Sequence, residues 1–301
     1  MTPDDPAWGE PGLKHIYSGK VRELYEVDHD RMLVVASDRV SVFDVVLPDL
    51  IPDKGRVLTA LSTFWFEQTA HLAPNHLVSS DPTDFPETAG PDVSGRAMLV
   101  RAAQPVRLEC VARGYLFGAA WSDYQETGTV RGRRLPAGLR QAERLPEPIF
   151  TPTTKAESGH DLPLSDAEAA ELVGADLFEE LRDVTLAIYR FGAALTAERG
   201  LILADTKLEF GLIDGRLVVI DEMMTPDSSR YWSADDHVVG TSPPSFDKQF
   251  VRDHYLSIGW NQQPPVPHIP ASVIAGTRAR YVEAYEQVSG NSFDTWYGDD
   301  E

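Results

Sequence analysis

The chain has 301 residues, 42% of them hydrophobic and 25% charged, and its 27 Lys and Arg face 47 Asp and Glu, for a formal charge of −20. This size and composition suit one large or two small globular domains. Such a charge excludes nucleic acid and anionic lipid as partners over most of the surface. Cys110 is the single cysteine, so an intramolecular disulfide and a zinc–thiolate cluster are excluded, and a reducing cytoplasm is the expected compartment. No apolar run reaches the ~18 residues of a membrane span. The N-terminus, with Asp4, Asp5 and Glu10, lacks the basic flank and apolar stretch of a secretory signal. In so acidic a chain an anionic substrate requires the few basic residues to gather at its site. Lysines and arginines inside motifs are therefore the most informative residues.

Taken in chain order, the first hundred residues read as β-rich. The stretch 21–27, the polar turn 28–31 and the apolar run 32–36 predict an antiparallel hairpin. Leu58, Leu61, Phe64, Trp65 and His71 fall at helical spacing and predict a helix over 56–72. Residues 81–95 hold three prolines and two glycines and read as a loop. Strands are expected from Met98 and over 106–112. The segment 131–164, rich in Pro, Arg and Gly, reads as irregular, and a long irregular stretch inside a compact protein is often functional. Ser165 and Glu168 have the spacing of a capping box ahead of a helical pattern over 169–198. A hairpin spans about 201–223, and 270–288 reads as a last amphipathic helix. The expected fold is α+β and two-lobed. An antiparallel β-rich N-terminal lobe spans 1–105, and a mixed α/β C-terminal lobe spans 106–301.

The hairpin LILADTKLEFGLIDGRLVVIDEM carries the clearest pattern. Ile202, Ala204, Leu208, Phe210 and Leu212 share one face with Thr206, while Asp205, Lys207 and Glu209 share the other. A two-residue turn at Asp214-Gly215 would set Ile220 opposite Glu209 and mix the faces. A three-residue loop over 213–215 sets Lys207 opposite Asp221 and gathers Asp205, Lys207, Glu209 and Asp221 on one face, with Glu222 on the other. That second register is the expectation. Two carboxylates beside a lysine suit Mg²⁺ with a polyphosphate, although the alternation also describes an ordinary solvated strand face with a cross-strand Lys–Asp pair.

Other cations sit in short motifs. Gly19 and Lys20, with Val21 and Arg22, form a turn ahead of a strand where backbone N–H groups could approach phosphate, but the GxxxxGK[ST] and GxGxxG spacings are absent. Lys155 follows three threonines in 151–154, Arg113 follows a strand, and Arg230 follows the turn 226–229. Cys110 reads as a small buried hydrophobe, not a nucleophile.

Together these segments resemble one family, the SAICAR synthetases of purine biosynthesis. The resemblance is carried by YSGKVRELYEV (17–27), ASDRVSVFDVVLPDLIPDKG (36–55), LECVARGYLFGAAW (108–121), FTPTTKAESGHD (150–161), ADTKLEFG (204–211), DEMMTPDSSRYW (221–232) and SFDKQFVRDHYLSIGW (245–260). These motifs occur in the family's order over about residues 12–260, and several are similar to the longer, fungal-type form. The resemblance implies an ATP-dependent ligase that joins L-aspartate to the carboxylate of carboxyaminoimidazole ribonucleotide, with ATP in the cleft between the lobes. Carried over motif by motif, it implies Gly19, Lys20, Val21 and Arg22 at the ATP phosphates, with Arg101 and Ala103 presenting backbone groups to adenine. Glu209 and Asp221 would hold Mg²⁺, and Lys155 and Lys207 would stabilise the transferred phosphoryl group. Arg113 and Arg230 would take the ribonucleotide phosphate, with Asp227 nearby. Asp38, Ser41, Asp44 and Lys54 would line the substrate side, and Asp205 is a candidate base. Ala119 departs from the family pattern, which commonly has serine there. A small-molecule kinase and a catalytically silent nucleotide-binding protein are the rival readings.

Overall fold

The computed structural model describes residues 11–43, 45–155, 161–246 and 248–296; Asp44 lies outside them. The first third contains β1 (Lys14–Ser18), β2 (Arg22–Glu26), β3 (Arg31–Ala36), the hairpin β4 (Arg39–Val42) and β5 (Val45–Leu50), α1 (Lys54–Thr69), β6 (Leu77–Ser79) and β7 (Ala97–Arg101). Five of these strands make an antiparallel sheet in the order β1-β2-β3-β7-β6. The expected hairpin is present as β2–β3, joined over residues 27–30. Residues 81–95 contain three single 3₁₀ turns and no strand.

Next come β8 (Gln104–Tyr115), α2 (Ala119–Thr127), β9 (Thr129–Val130), β10 (Arg133–Arg134), β11 (Arg144–Phe150), β12 (Thr153–Thr154), α3 (Asp166–Val173) and α4 (Ala175–Ala197). The chain continues through β13 (Leu201–Ile213), β14 (Arg216–Ile220), β15 (Ser229–Ser233), α5 (Gln249–Ser257) and α6 (Ala271–Ser289). The second sheet runs β11-β8-β13-β14, with β12 added to β8 and β15 added to β13. The mixed α+β class with antiparallel sheets is as expected. The segment 131–164 is more ordered than its composition suggests. Pro146 and Pro148 lie in β11 at the sheet edge, where a missing N–H costs no ladder bond. The capping box forms at Ser165 and Glu168, but Gly174, at φ 92°, divides the expected single helix into α3 and α4.

The two sheets are not independent units. One apolar core runs from Val34 and Met98 of the first, through Leu58, Leu61 and Trp65 of α1, to Leu108, Leu208 and Phe210 of the second, and on to Tyr281 and Tyr285 of α6. Helix α1 sits so close to β3 that a Cβ on Gly55 would fall 2.3 Å from the Ala36 carbonyl oxygen, and the glycine is required by that approach. Asp38 accepts from the Gly55 amide at 2.9 Å and from Arg96 at 3.1 Å, so it ties the start of α1 to the sheet.

The hairpin register corrects an expectation. Glu209 pairs with Ile220 and Ile213 with Arg216, so the turn is the two-residue Asp214-Gly215. Both turn residues have positive φ, 52° and 73°, and such a turn twists in the same sense as the flanking strands. The objection that this mixes faces fails because the hairpin tip is apolar on both sides. Phe210, Leu217 and Val219 enter the main core, while Ile213, Val218 and Ile220 form a small cluster with Ala103 beside Glu209. Asp221 leaves the ladder at φ 66°, so its direction is set by the backbone bend and not by alternation.

His76 links the sheets. Its amide donates to Val219 and its carbonyl accepts from Arg101, and burial lowers its imidazole pKa from 6.5 to about 4. A buried neutral histidine with a depressed pKa leaves stability intact above pH 6.5 and removes it as pH falls towards 4, because only the unfolded chain takes up the proton. The loss approaches about 3 kcal/mol at the lower end. Urea unfolding midpoints measured from pH 7 to 4 should fall steeply in the parent and less steeply in His76→Gln.

Candidate active site

Strand β13 is central to the second sheet, and its polar face is the floor of the site. Asp205 pairs with Arg113 of β8, Lys207 with Val111 and Glu209 with Glu109, so these side chains emerge on one side of the sheet. Segment 228–230, running into β15, forms one wall, since Arg230 pairs with Asp205 and Ser228 accepts the Lys207 amide at 2.8 Å. All of these except Glu209, together with Thr153 and Asp161, line a cleft of about 240 Å³, and Glu209 lies beside it through Lys207.

Charges within the cleft are matched locally. Asp205, 7% exposed, accepts from Arg113 at 2.9 Å and from Arg230 on the same oxygen. Arg113 also donates to the Thr151 hydroxyl at 3.0 Å. The Arg230 guanidinium lies over the Phe117 ring and 3.1 Å from where a Gly118 Cβ would be, at the start of α2. Gly114 is required as well, since a Cβ there would meet the Tyr189 hydroxyl at 1.8 Å. Farther along β13, Lys207 bridges Glu109 at 2.5 Å and Glu209 at 3.3 Å, and Lys155 pairs with Glu209. Burial alone would raise the Glu209 pKa, but Lys207 and Lys155 outweigh it and hold the carboxyl at about 2. Burial would likewise lower that of Lys207, yet Glu209 and Glu109 keep it raised.

Beyond Glu209 lies Arg22, donating to both oxygens of Asp221 at 2.7 Å and pairing with Glu222 at 2.6 Å. Burial raises the Asp221 pKa, and Glu209 and Glu222 add to that against the pull of Arg22. Asp221 thus adjoins Glu209 electrostatically although the expected register is wrong. Glu222, expected on the far face, shares Arg22 with it and is a second correction.

The turn at Gly19 is closed by its amide donating to the Arg22 carbonyl at 2.7 Å, and Val21 accepts both the amide and the hydroxyl of Ser37. Arg39 holds the Gly19 carbonyl at 3.1 Å and the buried Glu23 at 2.5 Å. Lys20 is exposed at the tip.

Other expected residues stand apart. Lys54 is fully buried, and its ammonium meets Asp227 at 2.7 Å, so neither of these two charges faces the cleft. Asp38 is committed to α1 and Arg96, and Ser41 lies in β4 opposite Val46. The Arg101 amide donates to His76 at 2.8 Å and so is not open to a ligand, and its side chain pairs with Asp214 on the surface. Ala103 belongs to the apolar cluster beside Glu209. Sequence reading misses Glu109 and Ser228. A signal for Glu109 exists in the alternation of Glu109, Val111 and Arg113 against Leu108, Cys110 and Ala112.

The arrangement can hold two anions at once, one at the arginine pair and one at the lysines, beside carboxylate oxygens suited to a hard cation. Such a donor set is of the kind that enzymes acting on phosphorylated ligands use. The chain belongs to the SAICAR synthetase family, whose model matches residues 15–267. It is 52% identical over 284 residues to the phosphoribosylaminoimidazole-succinocarboxamide synthase of Desulfosudis oleivorans, covering 93% of this chain and 97% of that one. The synthase of Xanthomonas campestris is also 52% identical, over 94% of this chain and 96% of its own. The structure of SAICAR-synthase from Saccharomyces cerevisiae complexed with SAICAR superposes with a TM-score of 0.87 at 39% identity, over 94% and 96% of the two chains. This protein is accordingly an ATP-dependent ligase of purine biosynthesis. No helix among the described residues is long and apolar enough to cross a membrane.

Asp205→Asn leaves two closely placed guanidiniums without their shared countercharge. Urea denaturation should show a loss of about 2 kcal/mol, and adding Arg230→Met to Asp205→Asn should recover part of it.

Proposed function

We propose that this chain joins L-aspartate to the carboxylate of carboxyaminoimidazole ribonucleotide with conversion of ATP to ADP and phosphate. One observation supports the reading: two separate cation pairs gather over a single polar sheet face, Arg113 with Arg230 around Asp205, and Lys155 with Lys207 around Glu209. In this reading the ribonucleotide phosphate takes the arginine pair beside the start of α2, where the exposed Ala119 supplies no hydroxyl. The ATP phosphates meet the turn 19–22 and the two lysines. The purine ring lies between the sheets on the apolar group of Ala103, Val218 and Ile220, with the Arg101 carbonyl and the Ala103 backbone at its rim. We place the reaction in the cytoplasm, in keeping with the free, buried Cys110.

Mg²⁺ fits Glu209 and Asp221. Both offer hard oxygen donors, and burial, with Glu209 and Glu222 nearby, raises the Asp221 pKa. Mg²⁺ commonly takes one or two carboxylates and completes its octahedron with water and phosphate oxygens. When bound it would neutralise phosphoryl charge. The chain's own residues do the rest. A carboxylate is a poor electrophile at neutral pH, so it first attacks the γ-phosphorus of ATP, giving an acyl phosphate and ADP. Lys155 and Lys207 orient the phosphoryl oxygens and offset their charge. The uncharged aspartate amine then attacks the acyl carbon, the C–O bond to phosphate breaks, and the departing phosphate carries away the proton that the nitrogen loses as the amide forms. Asp205, a candidate base on sequence grounds, accepts from two guanidiniums, and we assign it to holding the arginines. A kinase would need the same lysines and carboxylates, but membership of a ligase family does not favour it.

Glu209→Gln should lower turnover by about two orders of magnitude or more and raise the Mg²⁺ needed for half-maximal rate. Glu222→Gln should act through Arg22, raising the KM for ATP and leaving the Mg²⁺ curve nearly in place. Equal displacement of the two Mg²⁺ titrations would remove the metal role from Glu209. With ¹⁸O in the substrate carboxylate, one labelled oxygen should appear in inorganic phosphate per turnover. Unlabelled phosphate would falsify the acyl phosphate.

A further inference from the structure

Helix α6 lies beyond the 15–267 span matched by the family model, and the cleft alone gives it no role in the reaction. Its packing shows where it acts. Arg278 and Tyr281 are one turn apart and straddle the start of α1. Arg278 pairs with Asp53 at 2.6 Å. Asp53 caps α1 in a left-handed conformation with no side-chain cap bond of its own. Tyr281 is fully buried, lies under the Lys54 ammonium and donates its hydroxyl to Asp227 Oδ1 at 2.6 Å. The other carboxylate oxygen takes Lys54 at 2.7 Å and Lys248 at 3.3 Å. Asp227 therefore sits in a buried cluster drawn from α1, the start of α5 and α6.

The cluster bears directly on the cleft because Asp227 is joined in sequence to two of the cleft's groups. Ser228 is the next residue and binds the Lys207 amide, and Arg230, three residues on, pairs with Asp205. The preceding chain is irregular, with Asp221 and Met224 at φ 66° and 46°. Strand pairing does not begin until Ser229. Between the last ladder residue of β14 and the first of β15, the Asp227 carboxylate is a fixed point where three elements converge.

We propose that α6 is a positioning element of the active site: the Tyr281 hydroxyl holds the Asp227 carboxylate and so sets the place of Ser228 and Arg230 in the substrate cleft. This rests on the reading of Arg230 as a contact of the ribonucleotide phosphate. Tyr281 touches no substrate. It fixes one oxygen of a charged group that lysines alone would hold only through the other.

The test uses the full-length enzyme and steady-state kinetics with each substrate varied in turn. Tyr281→Phe removes one hydroxyl and keeps the ring. It should raise the KM for the ribonucleotide about fivefold or more and leave the KM for ATP within about twofold, with thermal unfolding retained as a single cooperative transition. Arg230→Met, measured in parallel, should raise the same KM further. A lowered Tm with an unchanged ribonucleotide KM in Tyr281→Phe would make the hydroxyl merely structural and overturn the proposal. So would equal rises in both KM values. If Arg230→Met itself leaves the ribonucleotide KM unchanged, the underlying assignment of the cleft fails instead, and the two failures are distinguishable.

Discussion

The site depends on one constraint, the period-two alternation of the middle of β13, from Asp205 to Phe210, which cannot slip. Before that stretch the ladder is irregular between Leu203 and Asp205. Leu201 and Leu203 therefore enter the same core, while Ile202 and Ala204, expected on the face of Leu208, pack with Trp232 instead. From Thr206 to Phe210 alternate residues face inward, and Leu208 and Phe210 are completely buried. A shift of one residue would exchange them for Lys207 and Glu209. Because the apolar side is locked, the polar side is locked too. Asp205, Lys207 and Glu209 stand in a row with neighbours about 7 Å apart, a spacing that lets one rigid element address two ligands. The neighbours on β8 and β15 are held by the same ladders, so Arg113 and Arg230 arrive at Asp205 from both sides.

Local charge matching then makes the face tolerable. In a chain of charge −20 the site interleaves cations with anions. Each carboxylate of the row is answered by lysine or arginine from another segment: Asp205 by Arg113 and Arg230, Glu209 by Lys155 and Lys207, Asp221 by Arg22. Such pairing offsets the cost of partial burial. It also preorganises the cations, because a ligand phosphate meets guanidinium and ammonium groups already oriented by their carboxylates.

A single apolar core joins the two sheets through α1 and α6. The cleft on the second sheet is therefore backed by elements that share packing with the first, not by an independently folded body. Gly55 and Gly114 mark where this packing leaves no room for a side chain. His76 and the buried Lys54–Asp227 pair mark where polar groups have been carried into it.

Local sequence by itself determined the elements whose signal is periodic or chemical at short range. These are the β2–β3 hairpin, the capping box at Ser165, the helices near α1 and α4, and the division of β13 from Asp205 to Phe210 into an apolar and a charged face, which does not extend to Ile202 and Ala204. The ordered motifs carried the family as well, since they span most of the chain. Tertiary structure decided the features that depend on partners distant in sequence. Face mixing argues against the turn at Asp214-Gly215 only because alternation does not reveal that Ala103 supplies an apolar neighbour for Val218 and Ile220. The direction of Asp221 is set by a positive φ that no residue pattern announces. Lys54 and Asp227 lie 173 positions apart, yet they neutralise each other in the interior, and a motif reading cannot distinguish a lysine facing substrate from one buried against a carboxylate. Alternation along a strand is a local property, whereas register, burial and the choice of ion-pair partner are properties of the packed chain.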